Sequence, residues 1–556
     1  MTSNSSSTPS FPATSSTAST TIAVDVRQFS STRRLASDYT FNFHALAPFF
    51  AGDPQDPNAW RDLIHRVQQR DLRRDAIAAI IARQQEQRHA PPAARAAAIR
   101  LADPNSVAIV TGQQAGLFGG PLYTLLKALT ALKLAEHISA EHDVPALAVF
   151  WIDADDHDWD EVRSCTVLDD ALSARAISLP PRTTAESVGR IHLDDSVTQA
   201  IDELAATLPA TEFRDALLND LRSDWAPGKT VSEAFGCWLE RLLGPRGLVV
   251  FDASDPAAKP LAADLFVKEL TAPGDTSTLA SAAGAALVEQ GYHAQVQPPA
   301  GGVALFHNDS QRVAIRRDGD MLLAGDERST PAALAAIAAA HPERFSPNVL
   351  LRPIVQDTLF PTIAYVAGPN ELAYLGQLKA IYARFGVPMP LMYPRATATL
   401  LDSAALRFLT KYHVALDTLQ PQDDSTLNQL LEAQIPPAVD AAFARTTSAV
   451  TTEMTALIAA LPAIDPTLEG AARSTLTRME HDLGTLHNKM IQAAKRRDET
   501  LRRQFVRTRA MTFPQGHAQE RTISVVSFLN QYGPALVDRL EQALPLESGH
   551  HWIVTI

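Results

Sequence analysis

Only two cysteines, Cys165 and Cys237, occur in the 556 residues. That is too few for a disulfide framework or a thiolate cage around a metal, and it fits a reducing, cytoplasmic setting with buried thiols. Long apolar runs are missing as well. The stretch Val144–Ile152 is nine residues and contains Pro145, whereas a membrane span needs about 20. Positive charge is in deficit: 49 Lys and Arg stand against 62 Asp and Glu, a net −13. A chain of that sign repels phosphate backbones, so nucleic acid is not expected as a partner unless a local basic patch exists, and the missing apolar span argues against a membrane. A secretory signal is absent too. Of the first 21 residues, 14 are Ser or Thr, with no basic start and no apolar middle. Residues 1–24 therefore read as a disordered tail, with folded sequence from about residue 25.

The remaining composition is ordinary for a globular protein, 46% hydrophobic and 20% charged, so a large core can form. Four short apolar runs read as buried strands: Val107 to Val110, Ala146 to Ile152, Leu248 to Phe251 and Thr362 to Val366. Amphipathic helices alternate with them; the one after Pro121 carries Leu122, Leu125, Leu126, Leu129 and Leu132 on one face. Continuous apolar strands alternating with helices predict an α/β core with a parallel sheet covered on both faces. This core occupies residues 25–400. Two insertions interrupt it: a helical one at about 170–230 without a sheet signal, and one at about 275–345. The second holds a small antiparallel sheet whose runs at 303–306, 313–315 and 321–323 are separated by Asn308-Asp309 and Asp318-Gly319.

Residues 401–510 are helical and different in kind. Leu476, Met479, Leu483, Leu486 and Met490 step by three and four, and Val450, Met454, Leu457 and Leu461 form a partner stripe. This predicts an antiparallel helical hairpin, serving either a dimer contact or packing within one chain. Residues 511–556 end in Trp552-Ile-Val-Thr-Ile556, a final strand returning to the core.

Reactive groups in a parallel sheet gather at the carboxyl ends of its strands, and the three loops richest in glycine and polar residues all come directly after predicted strands. The first, from Thr111 to Gly120, places Gly112, Gly116 and Gly119 where backbone amides and a helix N-terminus could meet an anion. Gln113 and Gln114 add amide groups. It matches neither a dinucleotide fingerprint nor a P-loop; Gly228-Lys229-Thr230 fails as the latter because Ser223 stands where glycine is needed. The second loop packs Asp153, Asp155, Asp156, His157, Asp158, Asp160 and Glu161 together. Such a cluster can deprotonate an amine, hold Mg²⁺ or bind sugar hydroxyls. No second histidine at ligand spacing supports a dedicated metal site. The third offers Asn370, Glu371 and Tyr374, flanked in sequence by Arg352, Gln356 and Arg395, whose guanidinium groups suit carboxylates.

Several segments resemble the bacillithiol-biosynthesis cysteine-adding enzyme family, BshC. They are Val-Thr-Gly-Gln-Gln-Ala-Gly-Leu at 110–117, Gly-Pro-Leu-Tyr-Thr-Leu-Leu-Lys at 120–127 and Phe-Trp-Ile-Asp-Ala-Asp-Asp-His-Asp-Trp-Asp-Glu at 150–161. His-Pro-Glu-Arg-Phe-Ser-Pro-Asn-Val at 341–349, Arg-Pro-Ile-Val-Gln at 352–356 and Ala-Gly-Pro-Asn-Glu-Leu-Ala-Tyr at 367–374 extend the likeness. So do Gln-Glu-Arg at 519–521 and Asn-Gln-Tyr-Gly-Pro at 530–534. Two departures are visible: Asp155 stands where the family usually has Glu, and Asn370 where it usually has Gly. The resemblance implies a Rossmann-like core with connecting insertions and a coiled-coil hairpin that dimerises. It also implies a ligase that joins cysteine to the amine of glucosaminyl-malate. Tyr123 and Lys127 join the binding residues on this basis. On this reading His157 takes the proton from the amine, Asp155, Asp156 and Asp158 hold sugar hydroxyls or Mg²⁺, and ATP is the expected activator of the cysteine carboxyl. The residues alone would equally suit a nucleotidyltransferase or other nucleotide-sugar enzyme; a non-catalytic sugar-acid binding protein is a third reading, against which the number of carboxylates argues.

Overall fold

The computed structural model describes residues 21–182, 186–309, 311–434, 436–497 and 499–556. The chain divides into two compact units. One comprises residues 21–400 with Ala518–Ile556, the other Leu401–His517. Residues 1–20 of the expected tail lie outside the described residues. The fold starts earlier than residue 25, because Thr21–Asp25 is a strand paired antiparallel with the last strand, His550–Thr555. Its partner lies at the opposite end of the sequence, so no local pattern announces it.

The larger unit is built on five parallel strands: β1 (Val107–Gln113), β2 (Ala146–Ile152), β3 (Val249–Asp252), β4 (Thr362–Ala367) and β5 (Leu391–Pro394). Their order across the sheet is β5-β4-β1-β2-β3. The order reverses between β1 and β4, the Rossmann arrangement, and that switch point opens a crevice at the strands' carboxyl ends. Period-two alternation explains why the sheet is buried on both faces. Val107, Ile109, Ala148, Phe150 and Val250 pack into one apolar core, and Ala108, Val110, Val149, Trp151 and Phe251 into the other. The helix Tyr123–His142 lies on the first of these with Leu122, Leu125, Leu126 and Leu129.

The first insertion does carry a sheet: Ser164–Leu168 and Ala174–Ser178 form an antiparallel hairpin. The second of these strands buries only Ile177, so it lacks the alternation that would reveal it. The second insertion folds into five antiparallel strands in the order Glu327–Ser329, Met321–Ala324, Arg312–Asp318, Gly302–Asn308, Phe345–Pro347. The two outermost are three residues each, too short to show a period.

In the smaller unit, helices Pro437–Ala460 and Leu468–Arg497 form the antiparallel hairpin, and Phe443 stacks on His487 with ring centroids 4.9 Å apart. The seam differs in detail from the heptad expectation. Ile458 and Ala472 are buried, whereas Leu457, Met479 and Leu486 are 49%, 39% and 50% exposed. A single partner helix covers only a narrow stripe, which leaves the flanking heptad positions open. No described helix is long and apolar enough to cross a membrane.

One buried ion pair ties three elements of the larger unit together. Arg88, at the end of helix Arg74–Gln87, donates to both carboxylate oxygens of Glu240 at 3.1 and 2.8 Å and to the carbonyl of Val250 in β3 at 2.7 Å. Both side chains are under 5% exposed. Removing one partner strands a charge in the core. Glu240→Ala is therefore expected to lower the unfolding free energy by about 3–5 kcal/mol, read from urea denaturation. A loss under about 1 kcal/mol would mean that water already solvates the pair.

Candidate functional site

A cavity of about 820 Å³ opens at the carboxyl ends of β1, β2 and β4, within the size range of small-molecule sites. It is lined by Gly112 and Gln113 at the end of β1, by Gln114 in the loop beyond it, and by Tyr123 and Lys127 on the next helix. Asp153, Asp156, His157 and Glu161 line it after β2. Gly368, Asn370, Glu371 and Tyr374 line it after β4, joined by Arg352, Arg395 and Arg521. The glycine turn and the acidic loop meet directly: the Gln114 side-chain amide donates to Asp156 Oδ2 at 2.7 Å. Gly112 is required by a close approach, since a Cβ there would sit 2.9 Å from the carbonyl oxygen of Trp151 on the neighbouring strand.

The acidic loop splits in two. Asp153, Asp156 and Glu161 face the cavity; burial pushes the Asp153 carboxyl above the usual range, and partial desolvation beside the neighbouring carboxylates does the same for the more exposed Glu161. Arg352, 3.4 Å from Asp153, opposes that shift. Asp155 turns away and is buried against Lys259 at 2.5 Å, and Asp158 caps the short helix Trp159–Val162 by accepting from the Glu161 amide at 3.1 Å. Neither lines the cavity, and the reason is local: one satisfies a buried ammonium, the other a helix start. His157 lies 3.3 Å from Asp156 Oδ1, but Arg312 Nη1 is closer, 2.9 Å from its Nδ1. A guanidinium can only donate, so Nδ1 presents its lone pair to Arg312 and Nε2 carries the proton. In this arrangement Nδ1 of His157 is engaged by Arg312 and is not free to take a proton from a ligand.

Cations alternate with the acids. Lys127, 2% exposed, meets Glu371 at 2.6 Å and donates to the Gly112 carbonyl at 2.9 Å; burial lowers its pKa. Burial would raise the Glu371 carboxyl, yet Lys127 and the Gly368 amide hold it below the usual range. Arg352 donates to the Tyr374 hydroxyl at 3.0 Å. Arg395 grips both oxygens of Glu520 at 3.0 and 2.6 Å. Arg312 also lies over the Phe306 ring, 3.6 Å from its centroid.

The later glycines of the turn lie off the cavity. Gly116 and Gly119 are absent from the lining, and the amides of Gly116, Gly119, Gly120, Leu122 and Thr124 all donate within the protein. Gly119, at φ +93°, packs against the Trp238 indole. Gln356 is fully buried and holds Arg352 at 3.4 Å and Asp357 at 2.9 Å from behind the wall. Sequence reasoning missed Phe306, Arg312, Tyr365 and Arg521 as lining residues. Arg521 stood in the Gln-Glu-Arg segment and could have been found there; Phe306 and Arg312 come from the inserted sheet, which bears no motif. Cys165 is buried, its thiol pushed up to about 12, and burial raises the Cys237 thiol too; neither suits a nucleophile. Among the described residues, the metal-ligating types that cluster closely enough for an ion are His307, Asp309 and Glu327, away from the cavity lining. Arg344 already takes both oxygens of Asp309 at 2.8 and 2.6 Å.

The switch-point cavity, its mixed charge and the appended helical hairpin define a Rossmann-like enzyme with a coiled-coil domain. The family described as "Bacillithiol biosynthesis BshC, N-terminal Rossmann-like domain" matches residues 22–396, and "Bacillithiol biosynthesis BshC, C-terminal coiled-coil domain" matches residues 398–556. The chain belongs to the BshC family. Among its relatives, proteins named "Putative cysteine ligase BshC" occur in Salinibacter ruber, Chlorobaculum tepidum and Symbiobacterium thermophilum. The first is 33% identical over 93% of this chain and 95% of the relative. The second is 33% identical over 85% and 87%, and the third 34% over 86% and 88%.

Behind Arg352, burial raises the Asp357 carboxyl to about 6, against the bonds from Tyr382 at 2.5 Å and Gln356. The folded protein thus binds this proton more tightly than the unfolded chain, whose value is 3.8. The associated stability is complete below about pH 4 and is lost as pH rises through 6, about 3 kcal/mol in all. Asp357→Asn should flatten the fall in unfolding free energy between pH 4 and 7. An unchanged pH slope in the variant would refute this.

Proposed function

We propose that the protein adds cysteine to the amine of glucosaminyl-malate, forming the amide bond that completes bacillithiol, as a cytoplasmic ligase. The observation that carries this reading is the contact of Gln114 with Asp156, which places the glycine turn and the acidic loop on one cavity. Family membership supports the pathway; the donor set supports the chemistry. A carboxylate and an amine do not condense unaided in water, so the cysteine carboxyl is activated first, with ATP as the proposed activator. The amine nitrogen then attacks the activated carbonyl carbon, the C–N bond forms, and the nitrogen loses a proton while phosphate or AMP leaves. Side chains are the proposed donors for the anionic groups: Arg316 and Arg521 line the cavity without a carboxylate partner among the described residues, whereas Lys127, Arg312 and Arg352 each already meet one.

Glu161 suits the proton acceptor: it lines the cavity, and partial desolvation beside Asp158, Asp156 and Asp153 raises its affinity for a proton. His157 Nε2–H and Arg312 suit the developing oxyanion. Asp156 is left to orient sugar hydroxyls or to share a Mg²⁺ with Asp153. The nucleotidyltransferase reading has no observation of its own in its favour. Incubation with ATP, cysteine and glucosaminyl-malate followed by mass spectrometry separates the two: a cysteinylated product supports ligation, a nucleotidylated sugar overturns it.

Glu161→Gln should lower kcat by about 10²–10⁴ and abolish the acidic limb of the pH profile. His157→Ala should lower kcat by about 10²–10³ and leave that limb in place. The reverse pattern would return the base to His157.

The open apolar positions Leu457, Met479 and Leu486 support a homodimer formed through the hairpin. Light scattering should give twice the chain mass, and Leu486→Glu should shift it to one; a monomeric wild-type chain would end the dimer reading.

A further inference from the structure

Most cations on the cavity wall are answered by a carboxylate: Lys127 by Glu371, Arg312 by Asp156, Arg352 by Asp153 and Arg395 by Glu520. Among the described residues Arg316 and Arg521 line the cavity without such a partner. Arg316 lies on the exposed face of a strand. Arg521 has a rigid mount. It comes after Gln519 and Glu520 on the short helix Gln519–Thr522, and both of those are locked. The Gln519 amide accepts from the Leu400 N–H at 2.7 Å and donates to the Leu400 carbonyl at 2.8 Å. Glu520 takes the two bonds from Arg395 and a third from the Ala398 N–H at 2.9 Å. The guanidinium of Arg521 is then held 5.6 Å from the centre of the Tyr123 ring, with Arg395 5.4 Å from the same ring.

Other donors in want of an acceptor line the same cavity. The Tyr123 hydroxyl accepts from Gln113 at 3.0 Å, which leaves its own O–H to donate. The Asn370 side-chain amide lines the cavity and has no partner among the described residues. An unneutralised guanidinium fork beside a phenol, in a cavity that a free amide also lines, matches a carboxylate in charge and geometry. We infer that Arg521, with Tyr123 and Asn370, binds the dicarboxylate end of the acceptor substrate. The identity of that end as a malyl group rests on the function proposed above. The amine end is then directed toward Glu161 and the acids after β2, which supply the acceptors that sugar hydroxyls and an amine require.

The test uses the full chain and L-malate as the probe, with malamide, its uncharged diamide, as the control, by isothermal calorimetry. Malate affinity should fall about 10–100-fold in Arg521→Gln, with Arg521→Lys between the two because it keeps the charge without the fork. Malamide should bind weakly and equally to all three proteins. Arg521 is exposed, so melting temperatures should coincide, which a folding defect would not allow. Equal malate affinity in wild type and Arg521→Gln, or no malate binding to wild type, overturns the inference. So would cysteine addition to glucosaminyl-malate with an unchanged KM in Arg521→Gln, and that outcome would leave the ligase reading standing. Arg521-dependent malate binding in a chain that never forms a cysteinylated product would do the reverse.

Discussion

Lys127 brings its ammonium group to the crevice between β1 and β4, where the strand order reverses. There it donates to the carbonyl of Gly112 and meets the carboxylate of Glu371, with Gln113 Oε1 3.3 Å away. One group thus binds the end of β1, the loop after β4 and the helix between β1 and β2. The cost of burying a bare ammonium is offset only when such partners surround it. Glu371 in turn accepts from the Gly368 amide and from the Tyr365 hydroxyl at 3.1 Å, so the loop after β4 cannot shift without exposing both charges. The wall of the cavity is fixed by charge satisfaction as much as by apolar packing.

That dependence explains what the sequence could and could not reveal. Four of the five parallel strands were legible because residues such as Ile109 and Val110 face two apolar cores, so each strand reads as an unbroken local apolar run; β5 was not, being four residues long with Tyr393 and Pro394 only part-buried. The meeting of the loops after β1, β2 and β4 was legible because parallel strands end on one side. Within those loops, direction was not legible. Asp155 and Asp156 are adjacent, yet one seeks Lys259 in the interior and the other Gln114 and Arg312 at the cavity. Only the distant partner decides which way each turns. Phe306 and Arg312 were hidden for the same reason, since an inserted antiparallel sheet gives no sign of which end overhangs the crevice. The open flank of Met479 and Leu486 on the hairpin results from having one partner helix, which a heptad pattern does not count.

A Rossmann-like sheet ordinarily offers its first helix N-terminus and glycine turn to a phosphate. Here that provision is closed off by the chain itself. Leu122 N–H, at the start of the helix after β1, donates to the Ile523 carbonyl at 2.9 Å, and Ser524 bridges to Pro121. The segment that does this returns from the far side of the helical hairpin in sequence, and the same few residues carry Glu520 to Arg395 and Arg521 to Tyr123. Guanidinium groups on fixed mounts stand at the same crevice. The two kinds of donor differ in what they suit. Amides at a helix terminus favour a compact anion at one point, whereas forks set along a wall can space out two or three carboxylates. The C-terminal return, which a reading of the glycine turn alone would leave out, thus sets both the closed helix start and the charge of the cavity wall beside it.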